Sequence, residues 1–188
     1  MRTLTLVVHI SLDGYVAGAA GELNNFPSGD ENLAFVNKLT EHADAALMGR
    51  ITYEMLNSYW PHAAQLKSND VNQVAYSSWY SRAQKIVVSK TLVAAATNTF
   101  IIKENLSQQI SEIKKLPGKN ILLFGSPSVA QQLLQYKLID DYWIFVNPVL
   151  FGKGIPLFKE SDHITQFKLV GSQSFLNGEM ALHYINAG

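Results

Sequence analysis

Ala45-Ala46-Leu47-Met48-Gly49-Arg50-Ile51-Thr52 passes from an unbroken apolar run through a glycine into a segment of helical period, Ile51 to Leu56. The apolar run reads as a buried strand. Strand, glycine and helix in that order make an anion-site geometry. A backbone without Cβ at Gly49 lets a phosphate approach, the first N–H groups of the helix point at it, and Arg50 and Thr52 add donors. The same residues also read as an ordinary strand-to-helix turn with a surface arginine.

Two further stretches repeat this pattern. Ile121-Leu122-Leu123-Phe124-Gly125-Ser126-Pro127-Ser128-Val129 is again a strand followed by glycine. Ser126 suits an N-cap and Pro127 the first helical position, so the amides of a new helix would face whatever sits above the sheet. Pyrophosphate binding and good capping both explain it. Lys85-Ile86-Val87-Val88-Ser89-Lys90 ends in a hydroxyl and an ammonium, where a site preferring NAD would usually place Asp or Glu. A 2′-phosphate would be welcome there, although a solvated lysine after a strand is also ordinary. All three motifs sit at carboxyl ends of strands, where open α/β sheets gather their ligands, and this convergence favours a shared site.

A fourth candidate follows the first strand, Leu4 to Ile10. In Ser11-Leu12-Asp13-Gly14-Tyr15-Val16-Ala17-Gly18, Asp-Gly makes a natural turn. If this loop closes over a ligand, Asp13 is the best-placed carboxylate for proton relay, and burial would raise its pKa.

Short β-branched runs alternate with helical stretches along the rest of the chain, as expected of helices packed on a largely parallel sheet. The remaining runs are Thr97 to Ile102 and Tyr142 to Val149. Asn32 to His42 carries Leu33, Val36 and Leu39 on one helical face, Val71 to Ser81 is a third helix, and Leu106, Ile110, Ile113 and Leu116 mark a fourth, capped by Asn105 and stopped by Pro117-Gly118. Phe167 to Phe175 and Glu179 to Ile185 flank Leu176-Asn177-Gly178, a hairpin signal, so the sheet finishes antiparallel.

Length and composition bound the rest. The 188 residues, 47% apolar and 16% charged, form one folded domain spanning 1–188. Fifteen basic and fifteen acidic residues balance, which gives no general pull toward nucleic acid or an anionic membrane. With no cysteine, no transmembrane run and no signal-peptide core, a cytoplasmic location is expected. His9, His42, His62, His163 and His183 show no metal-ligand spacing, and there is no Gly-x-Ser-x-Gly elbow, so neither a metal site nor triad chemistry is expected.

In this order, Met48-Gly49-Arg50-Ile51-Thr52-Tyr53-Glu54, Ile86-Val87-Val88-Ser89-Lys90, Leu123-Phe124-Gly125-Ser126-Pro127-Ser128, Leu138-Ile139-Asp140-Asp141 and Asn147-Pro148-Val149-Leu150-Phe151-Gly152-Lys153-Gly154 resemble the dihydrofolate reductase superfamily. With Ser11-Leu12-Asp13-Gly14 in front, the chain is most similar to the branch containing the C-terminal reductase domain of the bifunctional riboflavin biosynthesis protein. The resemblance implies an α/β fold: a three-layer αβα arrangement around a mixed, mainly parallel sheet of about eight strands with an antiparallel C-terminal hairpin. It also implies an NADPH site. Gly49, Arg50 and Thr52 would hold the adenosine side, Ser89 and Lys90 the 2′-phosphate, Gly125, Ser126, Pro127, Ser128 and Val129 the pyrophosphate, and the loop around Val16 and Ala17 would cover the nicotinamide.

True dihydrofolate reductases carry a carboxylate in the first helix, just ahead of a Leu-Ala-aromatic stretch. Here Leu33-Ala34-Phe35 is preceded by the neutral Asn32, with Glu31 and Asp30 as substitutes if the helix is shifted. The expected activity is hydride transfer from NADPH to a small heterocyclic or imine/carbonyl substrate, with Asp13 as proton assistant and Leu33, Val36, Tyr53, Leu56 and Trp60 as substrate walls. The alternatives are the pyrimidine reductase of riboflavin synthesis and an NADP-binding protein without turnover. A homodimer is suggested by the resemblance and the apolar terminal hairpin.

Overall fold

Strand β1 (Leu4–Ser11) shows why the sheet lies between two helical layers. Leu4, Leu6 and Val8 point into one apolar cluster and Val7 into another, so side chains alternate between two buried faces. The computed structural model describes residues 1–27, 29–66, 70–93, 95–162 and 164–187, which leaves His163 outside. After β1 come β2 (Tyr15–Ala17), α1 (Asp30–Glu41), β3 (Ala43–Gly49), α2 (Arg50–Leu66), α3 (Val71–Arg82), β4 (Gln84–Val88) and β5 (Thr99–Ile102). The chain continues through α4 (Leu106–Lys115), β6 (Asn120–Phe124), α5 (Pro127–Gln135), β7 (Asp141–Asn147), β8 (Ile155–Pro156), β9 (Phe167–Ser174) and β10 (Met180–Asn186).

The main sheet has eight strands in the order β5-β4-β3-β6-β1-β7-β10-β9. From β5 to β7 every pairing is parallel, and β10 runs antiparallel to both β7 and β9. Residues of α4 and α5 pack in the first cluster with Leu47, Ile86 and Leu123. Residues of α1, α2 and α3 pack in the second with Met48, Val87 and Phe145. This is the three-layer αβα arrangement that the family resemblance implies. Among the described residues, no helix is long and apolar enough to cross a membrane.

Several local expectations change. β2 and β8 pair with each other outside the main sheet and are too short for any periodicity to reveal them. The first helix begins two residues before Asn32, with Asp30 and Glu31 in its first turn, where acidic side chains favour the helix dipole. Asn105 does not cap α4 through its side chain, because it sits in the left-handed region at φ 54°. α2 continues well past Leu56, through Pro61. Around this proline the hydroxyl of Ser77 donates to the Trp60 carbonyl (2.7 Å) and accepts from the Ala64 amide (3.1 Å), joining α3 to α2.

Candidate active site at the carboxyl edge of the sheet

Because β4, β3, β6, β1 and β7 are adjacent and parallel, their carboxyl ends share one rim. Gly49 pairs with Val88, which places Ser89 beside the start of α2. Phe124 pairs with Val7, which places Gly125 between the ends of β3 and β1. Arg50, Ser89 and Gly125 therefore meet along one edge, as the convergence of the three motifs predicts.

The join between two of these motifs is direct. The Gly49 amide donates to Ser126 Oγ (2.7 Å), and that hydroxyl donates to Thr52 Oγ1 (2.9 Å). Ser126 thus makes no side-chain cap on α5, contrary to expectation, because its oxygen is taken by the neighbouring turn. Gly125 and Ser126 have φ of 49° and 45°, a left-handed pair that glycine tolerates and serine adopts at a cost of about 1 kcal/mol. Pro127 has no N–H, and the amides of Val129 and Ala130 both return to the Ser126 carbonyl, so Ser128 carries the first-turn amide not spent on that carbonyl.

The cationic groups are available without being free. Arg50 Nη1 lies 3.0 and 2.9 Å from the two carboxylate oxygens of Glu54 in an exposed i,i+4 pair. Such pairs contribute about 0.3–0.5 kcal/mol, so a phosphate can compete for the guanidinium. Ser89 Oγ accepts from the amides of Thr91 (3.1 Å) and Leu92 (2.9 Å), which shapes the turn and leaves its O–H to donate. Lys90 is exposed next to it.

Asp13 behaves differently from the sequence expectation. Its carboxylate is exposed and accepts from Ser11 Oγ (2.6 Å) and from the amides of Phe151 (3.1 Å) and Gly152 (2.7 Å). The Ser11 hydroxyl first, and then these amides, hold its carboxyl below the usual carboxylate range, not above it as burial would have done. Asp13 fastens the β1–β2 turn to the segment after β7. Asp13→Asn is expected to loosen that segment, raising its amide hydrogen exchange at Phe151 and Gly152 while β3 and β6 keep wild-type protection.

Val16 and Ala17 lie in β2 with side chains buried in the first core cluster, so only their backbone can face a ligand. A cavity of about 390 Å³ opens next to them, lined by Gly18, Ala19, Glu22, Asn25, Val149, Leu150, Phe151 and Lys153. Of the expected substrate walls, Val36 and Tyr53 are buried in the second cluster, Tyr53 with its hydroxyl accepting from the Ala96 amide (2.9 Å). Trp60 lies against Tyr76 at 4.2 Å between ring centroids. Val36 and Tyr53 are core, because the α1–α3 layer closes over them, while Leu33, Leu56 and Trp60 remain half-buried.

Sequence reasoning missed a polar cluster on the same rim. Glu179, 1% exposed just ahead of β10, places Oε1 2.8 Å from His9 Nδ1, and its Oε2 accepts from Asn32 Nδ2 (3.1 Å). Asn147, fully buried at the end of β7, has Nδ2 3.4 Å from His9 Nδ1 and donates to the carbonyls of Ile10 and Phe145. The findable signal was the alternation of β1, which puts His9 on the Val7 face at the carboxyl end. Glu31, the suggested substitute for the helix carboxylate, instead accepts from the Leu176 amide (2.7 Å) in the hairpin turn. Among the described residues, no group of three His, Asp or Glu side chains could hold a metal ion.

Comparison with known proteins places the chain in a family. The uncharacterized protein YyaP of Bacillus subtilis (strain 168) is 26% identical over 183 residues, covering 97% of this chain and 94% of its own. A Shewanella sp. PV-4 structure assigned to riboflavin biosynthesis is similar with TM-score 0.75 and 26% identity over the whole of both chains. The Thermotoga maritima diaminohydroxyphosphoribosylaminopyrimidine deaminase/5-amino-6-(5-phosphoribosylamino)uracil reductase shares the fold, with TM-score 0.67 and 17% identity over 99% of this chain and 57% of the larger one. The RibD C-terminal domain matches residues 2–180, and the chain belongs to that family.

Proposed function

We propose that this protein is an NADPH-dependent reductase of the riboflavin-biosynthesis type, transferring hydride to a small heterocyclic or imine/carbonyl acceptor. The observation that carries the reading is the Gly49–Ser126–Thr52 hydrogen-bond chain, which joins two glycine turns into one edge. The donors along that edge suit a nucleotide with two separate phosphate groups: Arg50 and Thr52 on one side, Ser89 and Lys90 next to them, and the Gly125–Val129 turn with its Ser128 amide. When bound, reduced nicotinamide supplies the hydride. This chain's residues bind and orient, and the Asp13-fastened loops bound the 390 Å³ cavity from which water is excluded when an acceptor fills it.

The first acceptor to assay is 5-amino-6-(5-phosphoribosylamino)uracil, the substrate in the name of the Thermotoga relative, because Lys153 gives the cavity a cation for its phosphate. The panel adds 7,8-dihydrofolate and 7,8-dihydrobiopterin, with NADPH consumption followed at 340 nm. NADPH at one hundred times its Kd should stabilise the fold by about 2.7 kcal/mol, raising Tm by roughly 5–10 °C. A shift without turnover of any panel member supports the alternative of a binding protein, and no shift rejects the cofactor.

Cofactor choice is tested separately. Lys90→Ala should weaken NADPH by roughly 10- to 100-fold, the loss of one charge-assisted phosphate contact, and NADH by less than twofold. Isothermal titration with both nucleotides reads this, and equal losses would remove Lys90 from the 2′-phosphate.

A further inference from the structure

The cluster built on Glu179 has no role in the reading above. A carboxylate 1% exposed is costly to bury unless it is paired. Its partners are the neutral Asn32 amide at 3.1 Å and the His9 imidazole at 2.8 Å. Among the described residues, no group makes a regular hydrogen bond to Glu179 Oε1, and His9 Nδ1 is the group that pairs with it by charge. The imidazole in turn is held flat, stacked on Phe145 at 4.8 Å and 19°, yet 37% of its side chain is open to solvent. A buried carboxylate 2.8 Å behind a half-open histidine fixes the ring orientation and turns Nδ1 toward the interior, leaving Nε2 for a ligand.

Its position matches a need of hydride transfer. His9 lies two residues beyond Val7, whose carbonyl accepts from the Gly125 amide (3.1 Å), so it stands just past the proposed pyrophosphate turn. Phe26 approaches it at 6.1 Å and Phe151 packs on Phe26 at 5.0 Å, which links the imidazole to the wall of the 390 Å³ cavity. Asp13, with its three donors and depressed pKa, is a poor proton source for the same acceptor.

We propose that His9 is the catalytic residue that protonates the acceptor, with Glu179 and Asn32 as positioning residues that hold its imidazole. The inference rests on the reductase reading. The acceptor C=O or C=N π bond breaks as its carbon gains hydride from reduced nicotinamide, which is oxidised. Its oxygen or nitrogen takes the Nε2 proton of the doubly protonated His9 ring, which is left as neutral imidazole and regains that proton from solvent. The charged group facing His9 is Glu179, ahead of β10. α1 contributes Asn32 through that carboxylate, β7 contributes the neutral Asn147, and Phe26 approaches from the loop after β2.

The test uses the full chain with NADPH and the three-acceptor panel. His9→Gln should lower kcat about 100-fold or more while KM for NADPH stays within twofold, the usual scale of a lost general acid. Glu179→Gln should lower kcat about tenfold with both KM values unchanged, a split that a purely structural role would not give. Wild-type kcat in both folded variants overturns the inference alone, whereas no turnover by the unmutated protein overturns the reductase reading and the inference with it. One measurement needs no variant: saturating NADP⁺ should slow diethyl pyrocarbonate modification of His9 at least fivefold, with the exposed His42 and His62 as unchanged references. Unprotected His9 in protein that NADP⁺ demonstrably stabilises overturns the placement.

Discussion

Ser126→Ala is expected to cost about 2 kcal/mol of stability, a Tm drop of roughly 4–8 °C, and to weaken NADPH about tenfold or more. The substitution removes the acceptor of the Gly49 amide and the donor to Thr52 in one step. Ser126 is 7% exposed, so water does not readily replace the missing oxygen. Ser126→Gly separates the two consequences. It loses the same hydroxyl but relieves a left-handed φ of 45°, worth about 1 kcal/mol, so its melting temperature should lie between those of wild type and the alanine variant. Both variants should bind NADPH equally poorly, because the hydroxyl that orients Gly49 and Thr52 is gone from each. Tight NADPH binding by either would detach this hydrogen-bond chain from the cofactor edge.

The same serine shows how far a sequence can be read. Gly125-Ser126-Pro127 announces a strand end and a helix start by local chemistry, and both are present. Local chemistry also nominates Ser126 Oγ as a cap, but the choice between the helix amides and Gly49 depends on β3 lying beside β6, a tertiary fact. The strands legible in advance were the short β-branched runs and the pair flanking the Asn-Gly hairpin signal. β2 and β8 escaped because three and two residues carry no period. Asp13 was legible as a turn residue, but its depressed pKa was not, since Phe151 and Gly152 come from 138 and 139 residues away. His9 and Glu179 lie 170 positions apart, one in a strand of apolar appearance and the other behind an Asn-Gly turn. Their meeting follows from β10 folding back on β7, which in turn pairs with β1.

Stability should fall steeply above pH 10. Burial raises the phenols of Tyr76 and Tyr80 far above their ordinary 10.0, with lesser pushes from each one's tyrosine neighbour, Tyr80 and Tyr53 respectively. Burial likewise pushes Tyr142 up to about 12, against an opposing hydrogen bond to Asn186. These groups keep their protons in the fold while the unfolded chain loses them near pH 10, so their contribution is complete below that pH and is lost as pH rises. Each such phenol removes up to about 1.4 kcal/mol per pH unit and three remove up to about 4 per unit, so the rise from pH 10 to 12 removes up to about 8, comparable with the whole stability of an ordinary domain. Lys85 acts with the opposite sign. Burial lowers its ammonium below 10.5 while Nζ donates to the carbonyls of Tyr80 (2.9 Å) and Ala83 (3.0 Å), so the fold binds fewer protons there than the unfolded chain. That group raises stability with pH until about 10.5 and adds nothing beyond. Urea titrations from pH 7 to 11.5 should therefore show a maximum near pH 9–10 and a sharp alkaline loss. Tyr80→Phe removes a hydroxyl that has no hydrogen-bond partner among the described residues, so it should leave stability at pH 7 nearly unchanged and shallow the alkaline slope by about one third. An alkaline slope identical to wild type would mean that the Tyr80 phenol ionises inside the fold, which its burial between α3 and the sheet forbids.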